Sequence, residues 1–125
     1  MASVLLISHL DNSGWARTLS DASPRLGNLK IIPERDVATE LGRADHNLVI
    51  VDAGAVRESA GLVSWMRGQR SRLRIVVVTL APTWQEARAV LLAGAIDYLS
   101  RALTKRELAV AIEKVFEISA AFLDD

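Results

Sequence analysis

Short apolar runs alternate along the chain with longer segments of helical spacing. The runs are rich in Val and Ile, which is typical of strands that are buried on both faces of a sheet. They lie at Val4–Ile7, Leu29–Ile32, Leu48–Val51, Ile75–Val78 and, more weakly, Ala95–Leu99. Because a helical segment separates each run from the next, the pattern predicts repeated strand–helix units and an open parallel sheet.

Such units predict a doubly wound α/β domain of the flavodoxin-like (βα)5 kind, with helices on both faces of a five-stranded parallel sheet. The last helix is the clearest, because Thr104 and Glu107 have the spacing of a capping box, in which two side chains satisfy free backbone amides. The apolar stripe that follows consists of Leu108, Ala111, Ile112, Val115, Ile118 and Phe122. Asp11, Asn12 and Ser13 are N-cap candidates for the first helix.

The composition narrows the class of protein. Half of the 125 residues are hydrophobic, which is enough for a single domain, residues 1–125, to bury a core without disulfides or metal. The chain has no cysteine and only two histidines, His9 and His46, so a dedicated zinc site is disfavoured. No apolar stretch approaches the roughly 20 residues that span a bilayer, and no signal peptide is recognisable. We therefore expect a cytoplasmic protein that does not bind membranes.

The charges of the chain balance. The sequence has fifteen basic and fifteen acidic side chains, whereas domains that bind nucleic acid usually have a surplus of basic ones. Four arginines cluster at the predicted end of the third helix, at positions 67, 70, 72 and 74. Cations at a helix C-terminus complement the helix dipole and solvate the surface. We therefore predict no direct contact with nucleic acid.

Polar side chains follow four of the predicted strands. Ser8 and His9 follow the first strand, Asp52 the third, Thr79 the fourth and Arg101 the fifth. In an open α/β sheet, ligands bind at the carboxyl ends of the strands, where helix N-termini present free amides. We therefore expect these side chains to converge on one pocket.

This order of residues resembles the receiver domain of two-component response regulators, over essentially the whole chain. Asp52 stands where that family has its phosphoacceptor aspartate, Thr79 where it has a Thr or Ser, and Arg101 where it has a Lys. The stretch Gly94–Ser100, Gly-Ala-Ile-Asp-Tyr-Leu-Ser, matches the Gly-Ala-x-Asp-Tyr-Leu segment that precedes the Lys. The resemblance implies the receiver fold, a role in phosphorelay signal transduction and no enzymatic activity.

The resemblance also implies a role for each residue. Asp52 would accept a phosphoryl group, Thr79 would move toward it as the hydroxyl switch, and Tyr98 would turn inward as the aromatic switch. Arg101 replaces the Lys that contacts the phosphoryl oxygens, with the same charge but a different length and shape. No cofactor is firmly predicted. If Mg²⁺ binds, Asp52 and the backbone of Gly54 would be its ligands.

The end of the first strand departs from the family. Ser8 and His9 occupy the positions of the acidic pair, and neither supplies negative charge for Mg²⁺, which prefers carboxylate and water oxygens. Asp11 could replace the lost acids from the pocket rim, but it is better placed to cap the first helix. We therefore expect cation binding to be badly weakened. Asp52 then has a second interpretation, as the ion-pair partner of Arg101.

Three further residues have plainer interpretations than a functional one. Thr79 could be only a β-branched strand residue that bonds a loop amide, and His9 an inert loop histidine. Trp84, which follows Pro82 and Thr83, is expected to staple the start of the fourth helix. If Trp84 is instead exposed, it would mark a partner surface.

Three functional hypotheses follow. The first is a divergent or pseudo-receiver that acts as a protein–protein interaction module, with phosphorylation of Asp52 weak, atypical or absent. The alternative is a competent phosphoacceptor response regulator that still uses Asp52, Thr79 and Arg101. The lesser alternative is a flavodoxin-like nucleotide or cofactor binder. This third hypothesis is disfavoured because no Gly-x-Gly-x-x-Gly turn or Walker loop follows the first strand.

The predicted partners, by analogy with the family, are a histidine kinase, an output domain or a second copy of the chain. Contact would use the fourth helix, the fifth strand and the fifth helix. The charges on that face suit complementary pairs across a two-fold axis, and belong to Glu86, Arg88, Asp97, Lys105, Arg106 and Glu113. Whether a longer natural protein continues past Asp125 with an output domain stays open.

Overall fold

Strands and helices alternate along the part of the chain that the structure describes, residues 3–118 of a computed structural model. The strands are β1 Val4–Ile7, β2 Leu29–Ile32, β3 Leu48–Asp52, β4 Ile75–Thr79 and β5 Asp97–Ser100. The α-helices are α1 Ser13–Ala22, α2 Val37–Arg43, α3 Ser59–Gln69, α4 Trp84–Ala93 and α5 Lys105–Glu117. All pairings are parallel, in the order β2-β1-β3-β4-β5, so the predicted doubly wound sheet is confirmed.

The sheet separates two apolar cores, because successive side chains of a strand point to opposite faces. On β3, Val49 and Val51 pack with residues of α2, α3 and α4, whereas Leu48 and Ile50 pack with residues of α1 and α5. All four side chains are fully buried. Cover on both faces is the physical reason for the unbroken apolar runs from which the fold was predicted.

Strand β5 starts at Asp97, later than the predicted Ala95. Gly94 closes α4 with a positive φ of 121°, and the Ala95 N–H donates to the Val90 carbonyl at 2.9 Å. Ala95 therefore belongs to the cap of α4 rather than to the strand. This tight turn determines where β5 begins, and so where Arg101 emerges at the far end.

Helix α5 begins at the predicted capping box. Thr104 Oγ1 accepts from the Glu107 N–H at 3.2 Å, and Glu107 Oε1 accepts from the Thr104 N–H at 3.0 Å. The buried part of its stripe consists of Leu108, Ile112 and Val115, while the predicted Phe122 lies outside the described residues. Among the helices of residues 3–118, none is long and apolar enough to cross a membrane.

Candidate functional site

Asp52 is the last residue of β3, and its side chain is a buried carboxylate with only 2 % of its surface exposed. The chain turns sharply after it, so that the Gly54 N–H donates to Asp52 Oδ1 at 3.2 Å. From the neighbouring strand β1, the Ser8 hydroxyl donates to Asp52 Oδ2 at 2.7 Å. The Ser8 hydroxyl therefore stabilises the buried carboxylate by hydrogen bonding.

Asn12 adds a third donor to this carboxylate. Its Nδ2 lies 3.3 Å from Asp52 Oδ2 and 2.8 Å from Ser8 Oγ. Asn12 holds the N-cap position of α1, but its side chain makes no capping hydrogen bond, because it points into the site instead. The sequence had suggested Asn12 only as a cap.

Arg101 supplies the positive charge. Its Nη1 lies 3.4 Å from Asp52 Oδ2, as the ion-pair interpretation predicts. The Arg101 guanidinium also stacks on an aromatic ring, since its Cζ lies 4.3 Å from the centroid of the Trp15 ring on α1. The Arg101 N–H also donates to the Thr79 carbonyl at 2.8 Å, which continues the pairing of β4 with β5. Trp15 was not predicted as part of the site.

The predicted residues converge on a cavity of about 250 Å³ at the carboxyl ends of the strands. It is lined by His9, Asn12, Asp52, Gly54, Thr79, Leu80, Ala81 and Arg101. Asp52, Thr79 and Arg101 thus share one pocket, as expected. His9 lines the rim as an exposed residue, whereas Asp11 is exposed and does not line the pocket.

Thr79, in the lining of this pocket, and Tyr98, beside it, bond to groups other than Asp52. Thr79 Oγ1 accepts from the Ala81 N–H at 3.2 Å. The Tyr98 hydroxyl donates to Glu86 Oε1 at 2.6 Å and accepts from the Thr83 N–H at 3.2 Å. Burial of Tyr98, together with its bond to Glu86, raises the pKa of the phenol above its ordinary value. Within residues 3–118, no hydrogen bond joins Thr79 or Tyr98 to the Asp52 side chain.

The donor set does not fit Mg²⁺. A magnesium site needs several oxygen ligands, usually with more than one carboxylate or with phosphate. Within residues 3–118, no three Asp, Glu, His or Cys side chains form a group that could hold a metal. Asp52 Oδ2 already accepts from Ser8, Asn12 and Arg101, all of which would oppose a cation at that oxygen. The expected weakening of cation binding therefore has a structural basis.

Large apolar side chains are exposed on the outer face of α4. Trp84 is 71 % exposed, Leu92 is 72 % exposed and Leu91 is 46 % exposed, and Val110 on α5 is exposed as well. The expectation that Trp84 staples the helix start is wrong, because the Trp84 side chain lies in solvent, and Thr83 caps α4 by accepting from the Glu86 N–H. Because large exposed apolar side chains are typical of binding surfaces, Trp84 marks a candidate partner surface.

Two of the charges predicted for the partner face are engaged within the chain. Glu86 binds the Tyr98 hydroxyl, and Glu113 lies 3.5 Å from Arg25, which precedes β2. Three residues of the arginine cluster also donate to backbone carbonyls of other elements, namely Arg67, Arg70 and Arg74. These arginines therefore stabilise the fold, a role that their helix-end position alone did not indicate.

A second buried carboxylate lies away from the pocket. Glu40 on α2 accepts from Arg43 at 2.7 Å and from Lys30 at 2.9 Å, and its other oxygen lies 3.0 Å from His46 Nε2. The bonds from Arg43 and Lys30 lower the pKa of Glu40 to about 2. Asp52 differs from Glu40 in having one cation beside it and three uncharged donors.

No protein-family model matches the sequence, and no curated protein matches it either. Solved structures do match the fold. A response regulator from Thermotoga maritima superposes with a TM-score of 0.80 at 19% identity, covering 94% of this chain and 99% of that one. HP1043, an orphan response regulator of Helicobacter pylori, gives 0.79 at 21% identity, covering 93% and 97%.

A CheY-like receiver domain from Methanospirillum hungatei also superposes with a TM-score of 0.79, at 17% identity and 94% coverage of both chains. At these identities the likeness concerns the backbone. The chain has the fold of response-regulator receiver domains, and Asp52, Thr79 and Arg101 stand at the carboxyl edge of its sheet.

Proposed function

We propose that this chain is a receiver-like signalling module that works through protein–protein contacts, as a non-enzymatic component of a cytoplasmic two-component pathway. Phosphorylation of Asp52 is weak, atypical or absent in this proposal. The observation that carries it is the state of the Asp52 carboxylate, which is buried and held by Ser8, Asn12, Gly54 and Arg101.

The chemistry of phosphoryl transfer explains why this observation matters. A carboxylate that attacks phosphorus needs a free lone pair directed at the phosphoryl group, and cations that offset the charge of the transferred oxygens. Asp52 Oδ2 is the target of three donors, and Arg101, the cation that bonds it within residues 3–118, is stacked on Trp15. Attack through Oδ2 would therefore require this network to break first, and Arg101 would have to leave the indole to follow the transferred oxygens.

The competent phosphoacceptor remains the second candidate, because one observation favours it. Asp52, Thr79 and Arg101 line the same cavity, and among residues 3–118 the Gly54 N–H is the one donor to Asp52 Oδ1. A nucleotide or flavin binder has less support. The cavity of about 250 Å³ falls below the range of roughly 300 to 1,000 Å³ that is usual for small-molecule sites.

Titration calorimetry with Mg²⁺ and beryllofluoride, a phosphoryl mimic, separates the first two candidates. We expect no saturable binding to the native chain, and the same flat result for Asp52→Asn. Saturable binding that disappears in Asp52→Asn would overturn the proposal in favour of the competent phosphoacceptor.

A gain-of-function variant sharpens the same test. Ser8→Asp with His9→Asp puts two carboxylates back beside Asp52, and we expect this variant to bind Mg²⁺ measurably better than the native chain. Circular dichroism checks that the added buried charge has not unfolded it. A well-folded variant without improved Mg²⁺ binding would show that the acidic positions are not what limits the site.

The proposed partners are a histidine kinase, an output domain or a second copy of the chain, bound through α4, β5 and α5. The support from the structure is the exposure of Trp84, Leu91 and Leu92 on α4 and of Val110 on α5. Apolar side chains of this size in one region are typical of protein-binding surfaces.

A further inference from the structure

We propose that α1, and not α4, is the helix whose order depends on the charge of Asp52, through contacts that we call the α1 latch. The latch consists of Asn12, Trp15 and Arg101. The inference rests on the proposed function, since it identifies which surface of the module senses the site.

Both α1 residues of the latch lie at the start of the helix. Asn12 is at the N-cap, and Trp15 is three positions later, so the two side chains lie on the same side of the helix. Asn12 reaches the Asp52 carboxylate directly, at 3.3 Å. Trp15 reaches it through Arg101, whose guanidinium lies between the indole and the carboxylate. The first turn of α1 is therefore attached to Asp52 by two routes.

The position of the Arg101 guanidinium depends on these two neighbours. Its hydrogen bond to Asp52 is long, at 3.4 Å, and its Nε is a buried donor without a partner among residues 3–118. The Trp15 Nε1 is likewise a buried donor that no acceptor of the described residues reaches. Loss of the negative charge would remove the counter-ion that Asp52 provides and leave the aromatic contact as the main interaction of the guanidinium. A desolvated guanidinium without a counter-ion tends toward water, and it would leave the indole uncovered.

The α4 side has no equivalent attachment. The start of α4 is held by Thr83, which caps it, and by the bond between Tyr98 and Glu86. Within residues 3–118, none of these three side chains bonds to Asp52 or Arg101. Removal of the Asp52 charge would leave this network intact.

Hydrogen exchange measured by mass spectrometry on the full chain tests the inference. In Asp52→Asn, we expect amides in the first turns of α1 to exchange faster by about fivefold, while those of α4 change little. The matched control is Thr79→Val, which alters the α4 side of the pocket and should leave α1 unchanged. Equal acceleration of α1 and α4 in Asp52→Asn would overturn the inference.

A double variant tests the route. Trp15→Leu alone should accelerate exchange in α1, and adding Asp52→Asn should then have a smaller effect on α1 than it has in the native background. If the effects of the two substitutions on α1 exchange add fully, the charge of Asp52 does not act on α1 through Trp15. If Asp52→Asn does not fold, Asn12→Ala tests the direct route with the carboxylate retained, and unchanged α1 exchange there would contradict it.

These measurements use neither a metal nor a phosphoryl mimic. Binding of beryllofluoride would therefore contradict the proposed function without changing the pattern of hydrogen exchange that we expect in the variants. Conversely, uniform exchange in the variants would remove the α1 latch and leave the proposed function standing.

Discussion

The α1 side and the α4 side of the pocket handle their polar groups in different ways. On the α1 side, Ser8, Asn12 and Arg101 converge on one buried carboxylate. On the α4 side, the Tyr98 hydroxyl bonds Glu86, and the apolar surface beyond it ends in Trp84, which is 71 % exposed.

The difference reflects the cost of burying charge. An isolated buried carboxylate is strongly destabilising, so its neighbours must compensate it fully, whereas an exposed indole costs little in a monomer. Ser8 and Asn12 are uncharged donors, so they stabilise Asp52 without like-charge repulsion. The α1 side therefore holds its polar groups together within the chain, whereas the α4 side leaves apolar side chains exposed for contact with a partner.

The largest expected effect belongs to Arg101→Met. It leaves Asp52 buried beside uncharged donors only, so the free energy of unfolding should fall by about 3 kcal/mol. Urea denaturation followed by circular dichroism measures the loss. Arg101→Lys, which keeps the charge but not the flat stacking surface on Trp15, should lose less. A loss in Arg101→Met that is no greater than in Tyr98→Phe would break the contrast between the two sides.

Asp52→Asn should have the next largest effect. An amide turns one oxygen into a donor that must face either the Gly54 N–H or the donors at Oδ2, and we expect the free energy of unfolding to fall by about 2 kcal/mol. The loss is limited because 15 % of the Arg101 side chain is already exposed, so its guanidinium can bond to water. The same denaturation measurement applies. A variant more stable than the native chain would mean that the carboxylate is strained, as expected of a working catalytic group and not of a cohesive cluster.

Tyr98→Phe should lower the free energy of unfolding by less, about 1 kcal/mol, because its partner Glu86 is half-exposed and can bond to water instead. The chain has a single tyrosine, so tyrosinate absorbance reports on this residue alone. The raised pKa of Tyr98 means that the folded state holds the phenolic proton more tightly than the unfolded state. This contribution to stability is present below the ordinary value of about 10 and disappears as the pH rises through the folded-state pKa.

Glu86→Gln is the control for that titration. It removes the neighbouring negative charge, so the midpoint of tyrosinate formation should move down toward the ordinary value. A midpoint that stays unchanged would assign the shift to burial alone.

The smallest effect on stability is expected for Trp84→Ser with Leu92→Ser. Both side chains are largely exposed, so the free energy of unfolding should change by no more than about 0.5 kcal/mol. If the α4 side binds a second copy of the chain, light scattering should show weaker self-association in this variant. Unaltered self-association would assign the dimer contact to another surface, and a large loss of stability would contradict the exposure of α4.

Much of the fold was predictable from local patterns. Buried parallel strands leave continuous Val and Ile runs, and the capping box of α5 needs only two residues three positions apart. The error at β5 came from Ala95, whose N–H bonds back into the cap of α4. Propensity does not distinguish such a cap from the first residue of a strand.

The candidate site was predictable only in part. Asp52, Thr79 and Arg101 were expected to meet because parallel strands bring their carboxyl ends to one edge of a sheet. Asn12 and Trp15 were missed, since helix residues reach a strand end only through the rotation and placement of the helix. Asn12 does hold the predicted N-cap position, but its side chain bonds Asp52 and Ser8 instead of capping the helix, and Trp84 had the features of a staple but is exposed.

The order of apolar runs was sufficient to specify a parallel α/β sheet and the strand ends on which Asp52, Thr79 and Arg101 stand. It was not sufficient to specify what those side chains touch. Strand periodicity is a local property of the backbone, whereas the Asp52 network joins residues up to 49 positions apart through packing of α1 on the sheet. Packing of α1 brings Asn12 to Asp52, whereas the placement of α4 on the opposite face of the sheet leaves Trp84 in solvent.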